Sequence, residues 1–399
     1  MFFAHIADCH LGGWRDPALR QLNHKAFETA IQRCIHEKVD FVLIAGDLFN
    51  TAIPSIDSIR VAFEELRQLK EAGIPTYFIA GSHDCSATNR SVLDVIESAG
   101  LGTNVSRGEA GADGTLRLVP VVDPKTGVKL CGLLGRRGGL EKHYYEALDR
   151  SSLETLAGPK IFLFHGSIAE LKPDELQDMD AFGISLMPRG FDYYAGGHIH
   201  IVRQHSMPGY LNVVYPGPTF PNNFAELEKL GAGSFCLVRD WQVEHVSIGL
   251  HPVVSVTVSV EGKNPPEAEA AIRAALPPRA EGAIVLLRVE GTLRQGSVAD
   301  IRFNELLGGL EGALTVLRNT SALRAQEFED VALSDAGSLE DIEDRLAREH
   351  AGKSHLDAHK EIAITKELLR ALATERKDGE KVADFEQRVR AESSPLLNP

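Results

Sequence analysis

Long apolar runs are missing from this 399-residue chain. None approaches the ~20 residues that span a bilayer, so no membrane segment is expected. Cysteine is scarce: Cys9, Cys34, Cys85, Cys131 and Cys236 are scattered, odd in number and without CxxC spacing. That pattern excludes a disulfide framework and a cysteine zinc site, and it points to a reducing, cytoplasmic setting. The start, MFFAHIADCH, has neither a basic leader nor a cleavage site, and it reads as a first strand rather than a signal peptide. Internal repeats and low-complexity tracts are absent. Positive charge is short: 42 Lys and Arg against 56 Asp and Glu give a net charge of −14. The basic footprint of a nucleic-acid binder is therefore missing. Affinity for isolated nucleic acid is expected to be weak and strongly salt-dependent, with a partner supplying part of any binding surface. What remains, 43% hydrophobic and 25% charged residues, is ordinary globular composition with length for two or three domains.

The chain is organised around VLIAGDLFN, Val42–Asn50. Its apolar residues make a buried strand, Gly46 opens the turn, and Asp47 stands at the strand's carboxyl end, where open α/β sheets place their chemistry. Four other apolar runs end the same way. Phe2–Ala7 leads into Asp8-Cys9-His10, and Thr76–Ala80 into Gly81-Ser82-His83-Asp84. Ile161–Phe164 leads into His165-Gly166, and Phe191–Ala195 into Gly196-Gly197-His198-Ile199-His200. Five such ends on one rim would collect Asp8, His10, Asp47, His165, His198 and His200, with His83 alongside: a binuclear metal site. Mixed Asp and His ligands suit Mn2+, Fe2+ or Zn2+ better than Mg2+ or Ca2+. A carboxylate can bridge two ions, and two ions a few ångströms apart are the apparatus of phosphoester hydrolysis.

Between these strand ends the pattern alternates strand and helix, as in an α/β fold. Helices are expected over Ala18–Val39, from Pro54 to about Ala72, over Ser91–Ser98 and over Leu140–Leu156. The late strands, including Leu211–Tyr215, Ser234–Val238 and Gln242–Ile248, follow one another without helices and suggest a second, more antiparallel sheet packed on the first. A boundary falls near Leu250–Pro252. After it, strand, helix, strand, helix, strand over Val253–Arg318 reads as a small α/β module. The tail from Asp330 holds 16 acidic and 11 basic residues and one aromatic, Phe385. Its thin apolar stripes (Leu339, Ile342, Leu346; Ile362, Leu368, Leu369, Leu372; Val382, Phe385, Val389) are too small for a core, so they dock on this chain or on a partner.

In this order, Asp8-Cys9-His10, Gly46-Asp47, Gly81-Ser82-His83-Asp84, His165-Gly166 and Gly197-His198-Ile199-His200 resemble DxH, GD, GNHD, H-G and GHxH, the signature of calcineurin-like metallophosphoesterases. DCHLG, AGDLFNTAIPS and VYPGPTF further resemble the DNA double-strand-break repair nucleases of the meiotic-recombination-eleven type, the SbcD family in bacteria. The resemblance implies a two-sheet α/β sandwich flanked by helices at 1–250 as nuclease domain. It also implies a DNA-positioning α/β cap at 251–330 and a helical segment at 331–399 that binds an SMC-like ABC ATPase of the SbcC type. It implies a Mn2+-dependent exonuclease on duplex ends and endonuclease on single strands, working as a homodimer on DNA. One ion, by the resemblance, takes Asp8, His10, Asp47 and His200; the other takes Asp47, position 82, His165 and His198. His83 would act on the leaving-group oxygen, with Asp84 orienting its imidazole.

Two positions depart from the pattern. Ser82 stands for the motif asparagine, a shorter and weaker neutral ligand, and Asn50 stands where the nucleases often have His. Activity could accordingly need high Mn2+ or a partner. Arg90, Arg136 and Arg137 are candidate phosphate contacts, with a solvated loop the plain alternative. His5, His24, His36, His143, His205, His245 and His251 read as structural, as do His350, His355 and His359 in the tail. Two other functions stay open: a metallophosphoesterase for nucleotides or small phosphodiesters, favoured by the acidic charge and Ser82, and a catalytically silent DNA-end scaffold, favoured by Ser82 alone.

Overall fold

Side chains alternate along a strand between opposite faces, and in the first strands of this protein both faces are apolar. The computed structural model describes residues 1–86, 91–111, 114–173, 176, 179–326, 347, 358–374 and 382–397. Strands β1 (Phe2–Ile6), β2 (Phe41–Ala45), β3 (Thr76–Ile79) and β4 (Thr103–Asn104) run parallel. Helices α1 (Pro17–Glu37), α2 (Ile56–Glu71) and α3 (Val92–Ser98) connect them. Val42 and Ile44 pack with α1 and α2, whereas Phe41, Leu43 and Ala45 pack against the opposing sheet.

That opposing sheet has the order β11-β12-β10-β9-β8-β7. It comprises β7 (Val121–Val122), β8 (Lys129–Leu133), β9 (Lys160–His165), β10 (Tyr193–Gly197), β11 (Val202–Met207) and β12 (Tyr210–Pro216). A short pair, β5 (Gly108–Ala110) and β6 (Leu116–Leu118), stands apart. Ile161, Leu163, Tyr193 and Val214 meet Phe3, Phe41 and Tyr77 between the two sheets. Phe41 stacks on Phe3 with ring centroids 5.0 Å apart. Truncating it to Ala is expected to cost about 3–5 kcal/mol, because packing this dense cannot close the hole.

Three local expectations are corrected. The late strands do not build an antiparallel sheet of their own. Strands β8, β9, β10 and β12 are parallel, and only β7 and β11 at the edges run antiparallel. The hairpin β13 (Gly233–Arg239) and β14 (Gln242–Ile248) adds instead to the first sheet, β13 antiparallel to β1. The helix expected over Leu140–Leu156 is broken into α4 (Lys142–Ala147) and α5 (Arg150–Glu154). Leu148 turns extended between them and buries its side chain, and Asp149 restarts the helix by accepting from Ser152 N–H. Helix α2 starts at Ile56 rather than Pro54, with Ser55 accepting from Ser58 N–H, as a serine N-cap does.

After α6 (Phe224–Leu230) and the hairpin, a third sheet forms from parallel β15 (Val253–Ser259), β16 (Ile284–Leu293) and β17 (Thr315–Asn319), with β18 (Leu323–Ala325) on β16. Helices α7 (Pro265–Ala275) and α8 (Phe303–Gly308) make the crossovers. Ile284 and Leu286 are buried in the same cluster as Leu19 and Leu22 of α1, so this cap sheet packs on the sandwich within one unit, Met1–Arg324. The second unit, Ala325–Pro399, holds helices Ala358–Leu372 and Val382–Leu397. Leu339, Ile342 and Leu346 lie outside the described residues.

Candidate metal centre

All five motifs emerge at the carboxyl ends of parallel strands. Asp8 and His10 follow β1, Asp47 follows β2, and Ser82, His83 and Asp84 follow β3. His165 ends β9, and His198 and His200 follow β10. The two sheets bring these ends together through bonds between them. His198 N–H donates to both Asp8 oxygens, at 2.9 and 3.1 Å. His165 Nδ1 contacts the Ala45 carbonyl at 2.9 Å. Since a carbonyl only accepts, Nδ1 carries the proton there and Nε2 is left as the ligand nitrogen.

Three overlapping groups result: Asp8, His10 and His200; Asp47, His165 and His198; and His10, Asp47 and His83 between them. Asp47 Oδ2 is 3.2 Å from His165 Nε2 and 3.6 Å from His10 Nε2, so one carboxylate faces both sides. The Nε2 atoms of His10 and His200 lie 3.0 Å apart. His165 Nε2 is buried and, when it carries no proton, has no hydrogen-bond donor beside it. Buried lone pairs that converge without donors are costly, and a cation between them removes that cost. The donor set therefore fits two metal ions, with Asp47 common to both. Asp8, His10, Asp47, His198 and His200 also have φ between 43° and 107°. Left-handed backbone at so many non-glycine positions costs free energy and gathers at functional sites.

Electrostatics agree with that reading. Burial pushes His10 and His198 down to about 3, keeping both neutral as ligands must be. Burial also raises Asp8. At Asp47 burial acts upward, but the facing imidazoles of His165 and His10 outweigh it and hold the carboxyl well below the usual range. At His165 and His200 burial acts downward. It is outweighed by Asp47 for His165, held up to about 10, and by Glu226 and Asp8 for His200, held up to about 9. Protons on these two rings offset the buried carboxylates, a task that a divalent cation would take over.

Ser82 reaches the centre. Its hydroxyl donates to Asp47 Oδ2 at 3.4 Å, and it lines a cavity of about 390 Å3 with His83, Arg136 and His198. A larger cavity of about 970 Å3 shares Ser82, His83 and His198 with it and extends past His10, Asp47, His200 and apolar Leu176, Ile199 and Val202. His83 N–H donates to Asp47 Oδ1 at 2.7 Å, and His83 Nδ1 contacts the Asn50 carbonyl at 2.8 Å. Asp84 therefore does not orient the His83 ring. It accepts from the N–H groups of Gly81, Phe49 and Leu48, tying two strand-end turns together, and burial and then Asp47 push its carboxyl up to about 7. The residue that does anchor the ring is Asn50, through its backbone carbonyl, while its side-chain Oδ1 accepts from Asn222 Nδ2 at 3.3 Å.

Arg136 donates to the Tyr144 hydroxyl at 3.0 Å at the rim of the smaller cavity. The side chain of Arg137, and all of Arg90, lie outside the described residues. Sequence reasoning missed Glu226, which accepts from His200 Nδ1 at 3.0 Å. The signal was Asn223-x-x-Glu226 at the start of α6, which reads as a helix cap.

Residues 1–202, just over half of the chain, match the calcineurin-like phosphoesterase family. Among curated proteins, "DNA double-strand break repair protein Mre11" of Archaeoglobus fulgidus is 29% identical over 285 residues, 66% of this chain and 63% of that protein. The protein of the same name in Methanopyrus kandleri is 30% identical, over 57% of this chain and 51% of its own. The chain thus spans only about half to under two thirds of the length of these relatives. Among solved structures, a dimetal phosphatase from Danio rerio aligns with 62% of this chain and 98% of its own at 12% identity, with a TM-score of 0.41. The match over the five strand-end motifs, together with the two ligand groups that share Asp47, places the chain in the calcineurin-like phosphoesterase family.

Proposed function

We propose that this protein is a two-metal DNA nuclease of double-strand-break repair, cutting duplex ends as an exonuclease and single strands as an endonuclease. The observation that carries the reading is Asp47 facing His10 on one side and His165 on the other, in a chain whose relatives from Archaeoglobus fulgidus and Methanopyrus kandleri bear a break-repair name. Asp8, His10, Asp47 and His200 would hold one ion, and Asp47, Ser82, His165 and His198 the other. Mn2+ is the ion favoured, with Fe2+ or Zn2+ compatible with the same donors. Bound there, the pair would supply phosphoryl polarisation and a nucleophile at neutral pH.

The chain's own residues do the rest. His83, with its Nδ1 proton on Asn50, has Nε2 available to exchange a proton with the leaving-group oxygen. Arg136, at the mouth of the smaller cavity, would meet a phosphate of the strand. The cap would position DNA, and helices Ala358–Leu372 and Val382–Leu397 would bind an SMC-like ABC ATPase of the SbcC type. The working form proposed is a homodimer. Among the described residues no helix is long and apolar enough to cross a membrane.

A second reading, hydrolysis of nucleotides or small phosphodiesters, draws support from the apolar side chains along the larger cavity and from the net charge of −14. End-labelled linear duplex DNA beside a small chromogenic phosphodiester, each with Mn2+, Mg2+ or chelator, tests both. Mn2+-dependent loss of the DNA label is expected. Hydrolysis of the small substrate alone would replace the first reading by the second.

A further inference from the structure

Helix α6 carries two carboxylates that engage different parts of the molecule. Glu226 accepts from His200 Nδ1 at 3.0 Å through one oxygen and from Asn222 N–H at 2.7 Å through the other. Two residues on, Glu228 takes both arms of Arg288, Nε at 3.0 Å and Nη2 at 2.6 Å. Arg288 belongs to β16 of the cap, and its guanidinium also lies 5.3 Å from the ring centroid of Phe224 on α6. Leu227, between the two carboxylates, is fully buried in the core shared by α1 and the cap.

We infer that α6 couples the cap to one of the two metal positions: Glu226 is a positioning residue for His200, and the Glu228–Arg288 pair sets where Glu226 stands. The inference rests on the metal reading above. A carboxylate on the far nitrogen of a ligating histidine fixes its tautomer and ring orientation and makes the near nitrogen more basic. The other position has a different anchor: His165 is held by the Ala45 carbonyl, at the end of a central strand. A disturbance of the cap therefore reaches the His200 position and leaves the His165 position alone. The Glu228–Arg288 pair is only about three-quarters buried, and pairs this open add little to folding. Its effect belongs in metal affinity.

The test is calorimetric titration of the metal-free full chain with Mn2+ alone. The wild type is expected to bind two ions, His200→Ala to lose one and His165→Ala the other. Glu226→Gln should weaken one ion by about 10–100-fold, the usual effect of removing such a partner. Added to His200→Ala it should change nothing further; added to His165→Ala it should weaken the ion that is left. Glu226→Asp, which keeps the charge, should recover part of the loss. Arg288→Gln should weaken the same ion severalfold, and less than additively with Glu226→Gln. Unaltered binding by Glu226→Gln would overturn the positioning role. An Arg288→Gln variant that binds both ions like the wild type, or weakens both equally, would overturn the coupling. A wild type that binds no Mn2+ would instead overturn the metal reading itself.

Discussion

Asp47 Oδ2 and His165 Nε2 are 3.2 Å apart although the two residues end strands of different sheets. Their approach depends on what is absent between them. Gly46 has φ +87°, and a Cβ there would run into the His165 imidazole. Gly46→Ala is expected to cost at least about 2 kcal/mol, from strained backbone and a displaced ring together. The urea midpoint of the metal-free protein measures it, and an unchanged midpoint would show that the turn can relax.

His83→Ala should lower hydrolysis by about 10^2–10^4-fold, the usual contribution of a positioned acid or base, while both ions stay bound. The same variant decides its role, because His83 lies in one group with His10 and Asp47. Loss of an ion on metal analysis would make it a ligand instead.

Ser82→Asn should strengthen binding at the His165 side, since an amide carbonyl reaches farther than the hydroxyl that now donates to Asp47. The Mn2+ concentration for half-maximal activity should fall. No change would mean that position 82 does not contribute to metal binding.

His5 faces the sandwich interior, its Nδ1 against the Tyr193 hydroxyl at 2.9 Å and its Nε2 unpartnered. Burial, and then His245, lower it to about 3, against 6.5 when unfolded. Between those values the unfolded chain takes up a proton that the folded one refuses. Stability is thus unaffected above pH 6.5 and falls as pH drops toward 3, by about 1.4 kcal/mol per unit. Urea melts of metal-free wild type and His5→Phe at pH 7.5 and 5 should show a shallower decline for the variant. Equal declines would remove His5 from the acid response.

If the proposed function holds, truncation after position 330 should spare nuclease activity of the isolated chain and end binding to the proposed ATPase partner. A pull-down that still captures the partner would move the docking surface elsewhere.

The cluster of strand-end Asp and His residues was legible because its signals are local: an apolar run of strand length, a glycine that permits the turn, and a charged or imidazole residue at once after it. The cap's alternation of strand and helix was legible for the same reason. Helix ends were legible to within a residue or two where proline or glycine marks them, as at the two ends of α2, read at Pro54 and at about Ala72 before Gly73.

Pairing was not legible. Nothing in the pattern of Gly233–Arg239 says that it lies beside Phe2–Ile6 rather than beside its neighbours in sequence, because an alternating or apolar strand suits either sheet. Glu226 drew no notice in the sequence, and Asp84 looked like the partner of the histidine beside it. Only packing shows that Glu226 reaches a histidine 26 residues away and that Asp84 serves three backbone N–H groups. By itself the sequence determined the chemistry at each strand end, since that is a matter of residue type and turn geometry. The tertiary structure decided which groups face one another, since that depends on burying both faces of two sheets at once.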